Sequence, residues 1–111
     1  MLLKIKKNKD FLKIYSTGKL YHSKAAFLYA LKTDTDSNTR IGISSSKKIK
    51  NAVTRNLLRR RTFEILRKLE FKPGFDLVFL IKKRAEIISF YELGKEIINA
   101  AESACVLKDK T

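Results

Sequence analysis

The sequence predicts an α+β fold in which one sheet is backed by helices, as a two-layer sandwich. Residues 25–31 and 40–44 alternate between two faces as strands do, and residues 76–82 form a nearly continuous apolar run. Three other stretches repeat apolar residues at the three- and four-residue spacing of helices. The predicted order is helix, two strands, long helix, strand, helix. The length of 111 residues suits one domain over residues 1–111.

The first predicted helix covers residues 8–17. Asn8 is its expected N-cap, and Gly18 is its expected left-handed stop. Phe11 and Tyr15 lie one turn apart, so their rings are expected on the same face.

The next two elements are predicted to form an antiparallel hairpin. Alternation in residues 25–31 places Phe27 and Tyr29 on one face of the first strand. The polar residues 34–38 are the expected loop, and residues 40–44 return as the second strand.

The chain is organised around residues 40–69, which read RIGISSSKKIKNAVTRNLLRRRTFEILRKL. After a strand and three serines, this stretch becomes a helix whose predicted packed face contains Leu58, Thr62, Ile65, Leu66 and Leu69. Nine Lys or Arg residues follow the first serine, against the single acid Glu64. An ordinary solvated helix face mixes charges, whereas a face of one sign repels itself unless a polyanion neutralises it. The segment therefore indicates a nucleic-acid partner.

The last third of the chain contains a turn, a strand and a helix. Residues 72–74, Lys-Pro-Gly, form the turn, and the apolar run of residues 76–82 suits a strand covered on both faces. Ser89 and Glu92 have the spacing of a capping box at the start of the last helix. The predicted apolar stripe of that helix is Phe90, Leu93, Ile97, Ala101, Ala104 and Cys105.

Composition limits the class of partner. The formal charge is +14 and the isoelectric point is near 10.1, so an anionic partner is expected. No apolar run approaches the roughly 18 residues that span a membrane, and the first residues lack the apolar core of a signal peptide. The single cysteine allows no internal disulfide. We therefore expect a cytoplasmic protein without a membrane partner.

The sequence is poor in the residues that form protein active sites. His22, the only histidine, is expected at the surface, and Cys105 is expected as a packed thiol. Asp34 and Asp36 fall at the predicted hairpin loop, and the outer side of the last helix is expected to carry Glu92, Glu96 and Glu102. No Cys or His cluster has metal-ligand spacing. The sequence therefore predicts no catalytic residue and no metal site in the protein itself.

The run SSSKKIKNAVTRNLLRRR resembles the signature of the protein subunit of bacterial ribonuclease P. That signature has a Ser-Lys-Lys turn, an Asn-Ala-Val step and an Arg-Asn-Arg-x-x-Arg helix. The matching residues are Lys47, Lys48, Asn51, Ala52, Val53, Arg55, Asn56, Arg59 and Arg60. Leu57 stands where the family has arginine, so one cationic contact is missing or is taken over by Arg61. A weaker resemblance extends from Phe11 to the last helix.

The resemblance implies a fold, and it implies that the RNA subunit and the protein subunit have different roles. The fold is similar to the second domain of a small-subunit ribosomal protein, with a left-handed crossover where right-handed ones are the general rule. The RNA subunit hydrolyses the phosphodiester, with Mg²⁺ bound mainly by the RNA and the substrate. A monomeric protein subunit binds the catalytic RNA and the 5′ leader of precursor tRNA.

Two sets of residues follow from the resemblance. The expected contacts to the catalytic RNA are Lys47, Lys48, Asn51, Arg55, Asn56, Arg59, Arg60 and Arg61. The expected leader-binding cleft contains Phe11, Tyr15, Phe27 and Tyr29, although core packing would also explain Phe11 and Phe27. Arginine suits phosphate recognition, and aromatic rings stack on bases with little sequence preference.

Three other functions are compatible with a basic protein of this size. A ribosomal or general RNA-binding protein of the same fold would bind RNA without raising cleavage of precursor tRNA. A DNA-binding module would place the basic helix in the major groove, yet neither a turn-helix partner nor a dimerising heptad is present. A membrane-surface helix is disfavoured because the apolar stripe is needed to cover the sheet.

Overall fold

The computed structural model describes residues 3–33 and 38–108. The elements are β1 Leu3–Lys4, α1 Asn8–Thr17, β2 Lys19–His22, β3 Ala26–Lys32, β4 Arg40–Ser45, α2 Ala52–Leu66, β5 Phe75–Ile81 and α3 Phe90–Ser103, with a 3-10 helix at Lys83–Ile87. One sheet carries α2 and α3 on one face and α1 on the other. The predicted mixed α+β class is confirmed.

The strand order is β1-β4-β5-β3-β2. The predicted hairpin between β3 and β4 is wrong, because β5 lies between them, antiparallel to β3 and parallel to β4. Leu77, Val78 and Phe79 are fully buried, so β5 has apolar side chains for both faces and takes the centre of the sheet. The predicted hairpin loop at residues 34–38 falls mostly on residues 34–37, which lie outside the described part of the chain.

Two short strands were not predicted. β1 has only two residues, too few to show a period, and it pairs in parallel with the start of β4. β2 pairs with β3 and contains exposed Lys19 and His22. Both strands lie at sheet edges, where polar side chains face water and the alternating pattern is weak. The exposure of His22 agrees with the surface position expected for it.

Alternation along β5 divides the apolar residues into two clusters. The larger cluster joins the sheet to α2 and α3 and includes Leu28, Leu77, Phe79, Ile81, Leu58, Leu66, Leu93 and Ile97. The smaller cluster, beneath α1, contains Ile5, Ile14 and Val78. Four of the five residues predicted for the packed face of the basic helix, Leu58, Thr62, Ile65 and Leu66, are buried. Leu69 lies beyond the end of α2 and is half-buried.

The ends of α1 differ from the prediction. Lys7 is the residue that precedes the helix, and Asn8 lies within its first turn without capping it. Gly18 is extended rather than left-handed, with φ −74° and ψ 158°. A Cβ at Gly18 would lie 2.6 Å from the carbonyl oxygen of Ile14, so glycine is required here by close approach of the backbone.

The last helix begins as predicted and ends earlier than predicted. The Ser89 hydroxyl accepts a hydrogen bond of 3.1 Å from the N–H of Glu92. Leu93, Ile97 and Ala101 of the predicted stripe are buried. Cys105 is exposed and adopts a φ of 56° after the helix has ended, so the expectation of a packed thiol is wrong.

Candidate nucleic-acid interface

The basic loop, residues 46–51, connects β4 to α2 and is anchored by its backbone. The N–H of Ser46 donates to β5 at 2.8 Å, and the N–H of Ile49 donates to the Ser46 carbonyl at 3.1 Å. Ile49 is fully buried, whereas Lys47 and Lys48 are exposed. The loop therefore has a fixed path and presents its ammonium groups to solvent.

Asn51 caps the N-terminus of α2. Its side-chain oxygen accepts hydrogen bonds from the N–H groups of Val53 at 2.8 Å and Thr54 at 3.2 Å. These groups have no partner inside the helix, so an asparagine at this position stabilises the first turn. The Asn-Ala-Val step of the signature is therefore explained in part by helix capping.

Arg55 connects the helix to the basic loop. Its Nη1 donates to the carbonyl of Ile49 at 2.7 Å and to that of Lys50 at 3.0 Å. Both carbonyls belong to the segment that carries the exposed lysines. Arg55 therefore holds the loop against the first turn of α2, and the residue as a whole is half-buried.

Three consecutive exposed arginines follow on α2: Arg59, Arg60 and Arg61. Arg59 donates to the side-chain oxygen of Asn56, which fixes the orientation of both groups. Glu64, the nearest acid in the helix, forms an ion pair with Arg67 at 2.9 Å. Within residues 3–33 and 38–108, no carboxylate forms an ion pair with Arg59, Arg60 or Arg61. This helix face therefore carries uncompensated positive charge.

The aromatic face lies on the α1 side of the sheet and comprises Phe11, Tyr15, Phe27 and Tyr29. The rings of Tyr15 and Tyr29 meet edge to face with centroids 4.8 Å apart, and Phe11 lies 6.3 Å from Tyr15. All four residues are half-buried, so they leave ring surface accessible. Phe27 lies two residues before Tyr29 on β3, on the same side of the sheet.

Lysines at the end of β5 connect this face to the basic loop. Lys82 Nζ lies 4.2 Å from the ring centroid of Phe27 and donates to the Ser23 carbonyl at 2.6 Å. Lys83 Nζ donates to the Lys48 carbonyl at 3.4 Å. Sequence reasoning did not select Lys82 and Lys83. The available signal was the Lys-Lys-Arg run directly after the apolar strand.

A cleft at the β4 edge of the sheet also joins the two surfaces. Its volume is about 350 Å³, and its lining residues are Lys4, Ile5, Phe11, Ile41, Ile43, Arg59, Arg60 and Phe63. Phe11 comes from the aromatic face, whereas Arg59 and Arg60 come from α2. One residue of the aromatic face and two arginines of α2 therefore line the same cleft.

Arg40, at the start of β4, has a structural role. It donates to both carboxylate oxygens of Asp76, at 2.9 and 2.7 Å, and lies 3.5 Å from Asp10 of α1. The hydrogen bond to Asp76 raises the pKa of Arg40 above its ordinary value, against the opposing effect of burial. This arginine therefore ties α1 to the two central parallel strands.

Neither a metal centre nor a membrane span is found in the part of the chain that the structure describes. No group of three or more His, Cys, Asp or Glu residues there is arranged to hold a metal ion. None of the helices described is long and apolar enough to cross a membrane.

Comparison with known proteins places the chain in a family. The family model for ribonuclease P matches residues 2–105. The ribonuclease P protein component of Listeria innocua is 37% identical over 109 residues, which are 96% of this chain and 92% of that protein. That of Clostridioides difficile is 39% identical over 98 residues, 86% of this chain and 85% of that protein.

A solved structure of the Staphylococcus aureus RNase P protein matches with a TM-score of 0.85 at 26% identity, covering 97% of this chain and 100% of that one. Because superposition preserves handedness, the β4–α2–β5 crossover has the hand found in that structure, and the fold class implied by the signature is confirmed. The chain therefore belongs to the ribonuclease P protein family, whose members work with an RNA subunit in a tRNA-processing ribonucleoprotein.

Proposed function

We propose that this protein binds the catalytic RNA of ribonuclease P through the basic loop and α2, and holds the 5′ leader of precursor tRNA against the aromatic face. It thereby assists removal of the leader, while the RNA subunit carries the chemistry. The observation that carries the proposal is the cleft that Phe11 of the aromatic face lines together with Arg59 and Arg60 of α2. A protein that must contact two nucleic-acid segments at once needs two such surfaces side by side.

Contacts to the catalytic RNA are assigned to the exposed cations. Arg59, Arg60 and Arg61 have no acidic partner among the described residues, and their planar guanidinium groups suit bidentate bonds to phosphate. Lys47 and Lys48 add positive charge from the anchored loop.

The polar residues at the start of α2 have a double role in this proposal. Asn51 and Arg55 hold the loop and helix in register, and Arg55 keeps further N–H groups for RNA. Asn56 uses its oxygen to orient Arg59, which leaves its amide N–H groups for the RNA backbone or bases.

Leader binding is assigned to ring stacking. Tyr15 and Tyr29 are half-exposed rings in contact with each other, and Lys82 lies beside Phe27 where it can meet a phosphate. Stacking on an aromatic ring tolerates any base. Leaders differ between tRNA genes, so a surface without strong base preference fits this substrate.

Mg²⁺ chemistry is assigned to the RNA subunit and the substrate. The protein contributes positive charge, which lowers the repulsion between the phosphates of catalytic RNA and precursor tRNA. We further propose that the protein acts as a monomer in the cytoplasm.

A cleavage assay tests the function as a whole. Adding the protein to a bacterial ribonuclease P RNA at low Mg²⁺ is expected to increase the rate at which the 5′ leader is released. A general RNA-binding protein of the same fold would bind the RNA and leave that rate unchanged. The second result would contradict the proposal.

Replacement of Tyr29 tests the aromatic face. Tyr29→Ala is expected to weaken binding of precursor tRNA to the holoenzyme by roughly 5- to 150-fold, the range of one lost base-stacking contact. Binding of mature tRNA and of the catalytic RNA is expected to change little. Tyr91→Ala is the matched control, because Tyr91 on α3 is 73% exposed and lies outside the aromatic face. A photoreactive leader nucleotide that crosslinks only to residues 55–61 would refute the assignment.

A further inference from the structure

Alternate backbone groups of β4 point away from β5, towards the cleft. The Ser46 N–H points towards β5, and the Ile41 carbonyl accepts from the Ile5 N–H on the opposite side. Because these directions alternate along a strand, the N–H and C=O of Ile43 also face away from β5. β1 pairs with β4 only at residues 40–41, so no described strand covers the edge at Ile43.

The walls of the cleft are apolar and its rim is cationic. The walls come from Ile5, Phe11, Ile41, Ile43 and Phe63. Lys4 Nζ lies 4.2 Å from the ring centroid of Phe63, and Arg59 and Arg60 complete the rim. The lining contains no Asp or Glu, and its volume of about 350 Å³ lies in the range of small-molecule sites, roughly 300–1,000 Å³.

A nucleotide fits this combination of groups better than an apolar side chain or a bare anion. A base has flat apolar faces for the walls and a polar edge for the N–H and C=O of Ile43, which face away from β5. Its phosphate would lie between Arg59 and Arg60. A neutral apolar ligand would leave the rim charges uncompensated, and inorganic phosphate would leave the aromatic and aliphatic walls empty.

We infer that this cleft binds one unpaired nucleotide of the catalytic RNA, with the base against Phe63 and its edge on the Ile43 backbone. The inference rests on the proposed function, because Arg59 and Arg60 belong to the helix assigned to that RNA. It adds to that function a base contact, alongside the phosphate contacts that α2 provides.

Salt dependence separates a base contact from a phosphate contact. Phe63→Ala is expected to weaken binding of the catalytic RNA about tenfold, within the range for a lost stacking contact, at every salt concentration. The slope of log K against log salt should stay unchanged, because no counterion-releasing charge is removed. Phe71→Ala is the control, since Phe71 is also a half-buried aromatic residue but does not line this cleft.

The outcomes distinguish this inference from the proposed function. If Phe63→Ala binds the RNA normally while Arg59→Ala/Arg60→Ala binds weakly, the nucleotide site is refuted and the phosphate interface stands. If Phe63→Ala weakens only precursor-tRNA binding, the occupant is the leader and the inference is wrong. If neither variant changes binding, the proposed function fails as well.

A measurement on the unaltered protein removes any dependence on the folding of variants. Titration with adenosine monophosphate, followed by ¹H–¹⁵N NMR, is expected to shift the amide signal of Ile43. Inorganic phosphate at the same concentration should shift arginine side-chain signals and leave Ile43 in place. Equal responses to the two ligands, or no response at Ile43, would overturn the site.

Discussion

Asn51 and Arg55 use their side chains to build the start of α2. Asn51 caps two N–H groups, and Arg55 binds two carbonyl oxygens of the basic loop. Each residue can therefore affect RNA binding indirectly, by loosening the segment that carries Lys47 and Lys48. A loss of affinity after substitution does not by itself identify a contact, so the variants must separate the two roles.

Two substitutions of Asn51 separate capping from charge. Asn51→Ala removes the cap and is expected to lower the free energy of unfolding by about 1 kcal/mol. Asn51→Asp keeps a capping oxygen and suits the positive end of the helix, so stability should be retained. The new negative charge should still weaken RNA binding, because it lies beside the cations that are proposed to contact phosphate. Urea unfolding and RNA titration measure the two effects, and normal binding by Asn51→Asp would place this residue away from the RNA.

Replacing Leu57 by arginine tests whether this departure from the family signature removes a contact to RNA. The residue is half-buried and lies outside both apolar clusters, so a longer charged side chain has room to reach solvent. Leu57→Arg is expected to change stability by no more than about 0.5 kcal/mol. RNA affinity should rise, and the salt slope should steepen by roughly 0.7–0.9 if one phosphate is contacted. Leu57→Gln is the uncharged control, and unfolding of the arginine variant would contradict this placement.

At the level of elements, the position of α1 depends on a glycine in β4. A Cβ at Gly42 would lie 2.7 and 2.8 Å from two ring atoms of Phe11. The ring therefore rests directly on the β4 backbone, which brings it to the cleft shared with Arg59 and Arg60. Gly42 thus controls how closely the helix that carries Phe11 and Tyr15 approaches the sheet.

Gly42→Ala is expected to displace the Phe11 ring and to destabilise the protein by about 1–3 kcal/mol, as overpacking does. In a Phe11→Ala background the added methyl group meets no ring, so the same substitution should cost little. A double-mutant cycle by urea unfolding measures this coupling. Additive effects of the two substitutions would show that Phe11 does not pack on Gly42 in solution.

Elements whose signals are local could be predicted from the sequence. The packed face of α2 follows from the spacing of Leu58, Thr62 and Ile65, and the start of α3 follows from Ser89. The conformation of Gly18 and the position of Cys105 were predicted wrongly. A Cβ at Gly18 would lie 3.2 Å from the carbonyl oxygen of Ala30 on β3, and α3 ends at Ser103, before Cys105. Spacing along one element carries no information about such approaches.

At the level of the whole molecule, strand order could not be read from neighbouring segments. β3 and β4 are adjacent in sequence, yet both pair with β5, which follows the long helix α2. The apolar run of residues 76–82 correctly predicted that β5 is buried on both faces. Which two strands pair with β5 depends on contacts between residues far apart in the sequence. The candidate interface was recognised through the signature, whereas the β4-edge cleft depends on that strand order and needed the structure.

The high net charge of the molecule raises the question of whether affinity for RNA depends on the positions of the cations or only on their number. The chain has 25 Lys and Arg against 11 Asp and Glu, which gives +14, so some attraction to any RNA is expected from charge alone. A specific interface requires that the positions of the cations matter, beyond their number. Two double variants that remove the same charge from different regions test this requirement.

Arg59→Ala/Arg60→Ala should reduce the magnitude of the salt slope by roughly 1.4–1.8, because two phosphate contacts are lost at 0.7–0.9 each. Alanine favours the helix, so circular dichroism should stay unchanged. Lys32→Ala/Lys68→Ala lowers the net charge equally, from exposed positions outside the basic loop and α2, and should have a smaller effect. Equal slopes for the two double variants would mean that binding follows net charge alone, and that the arginines of α2 form no specific contact with the catalytic RNA.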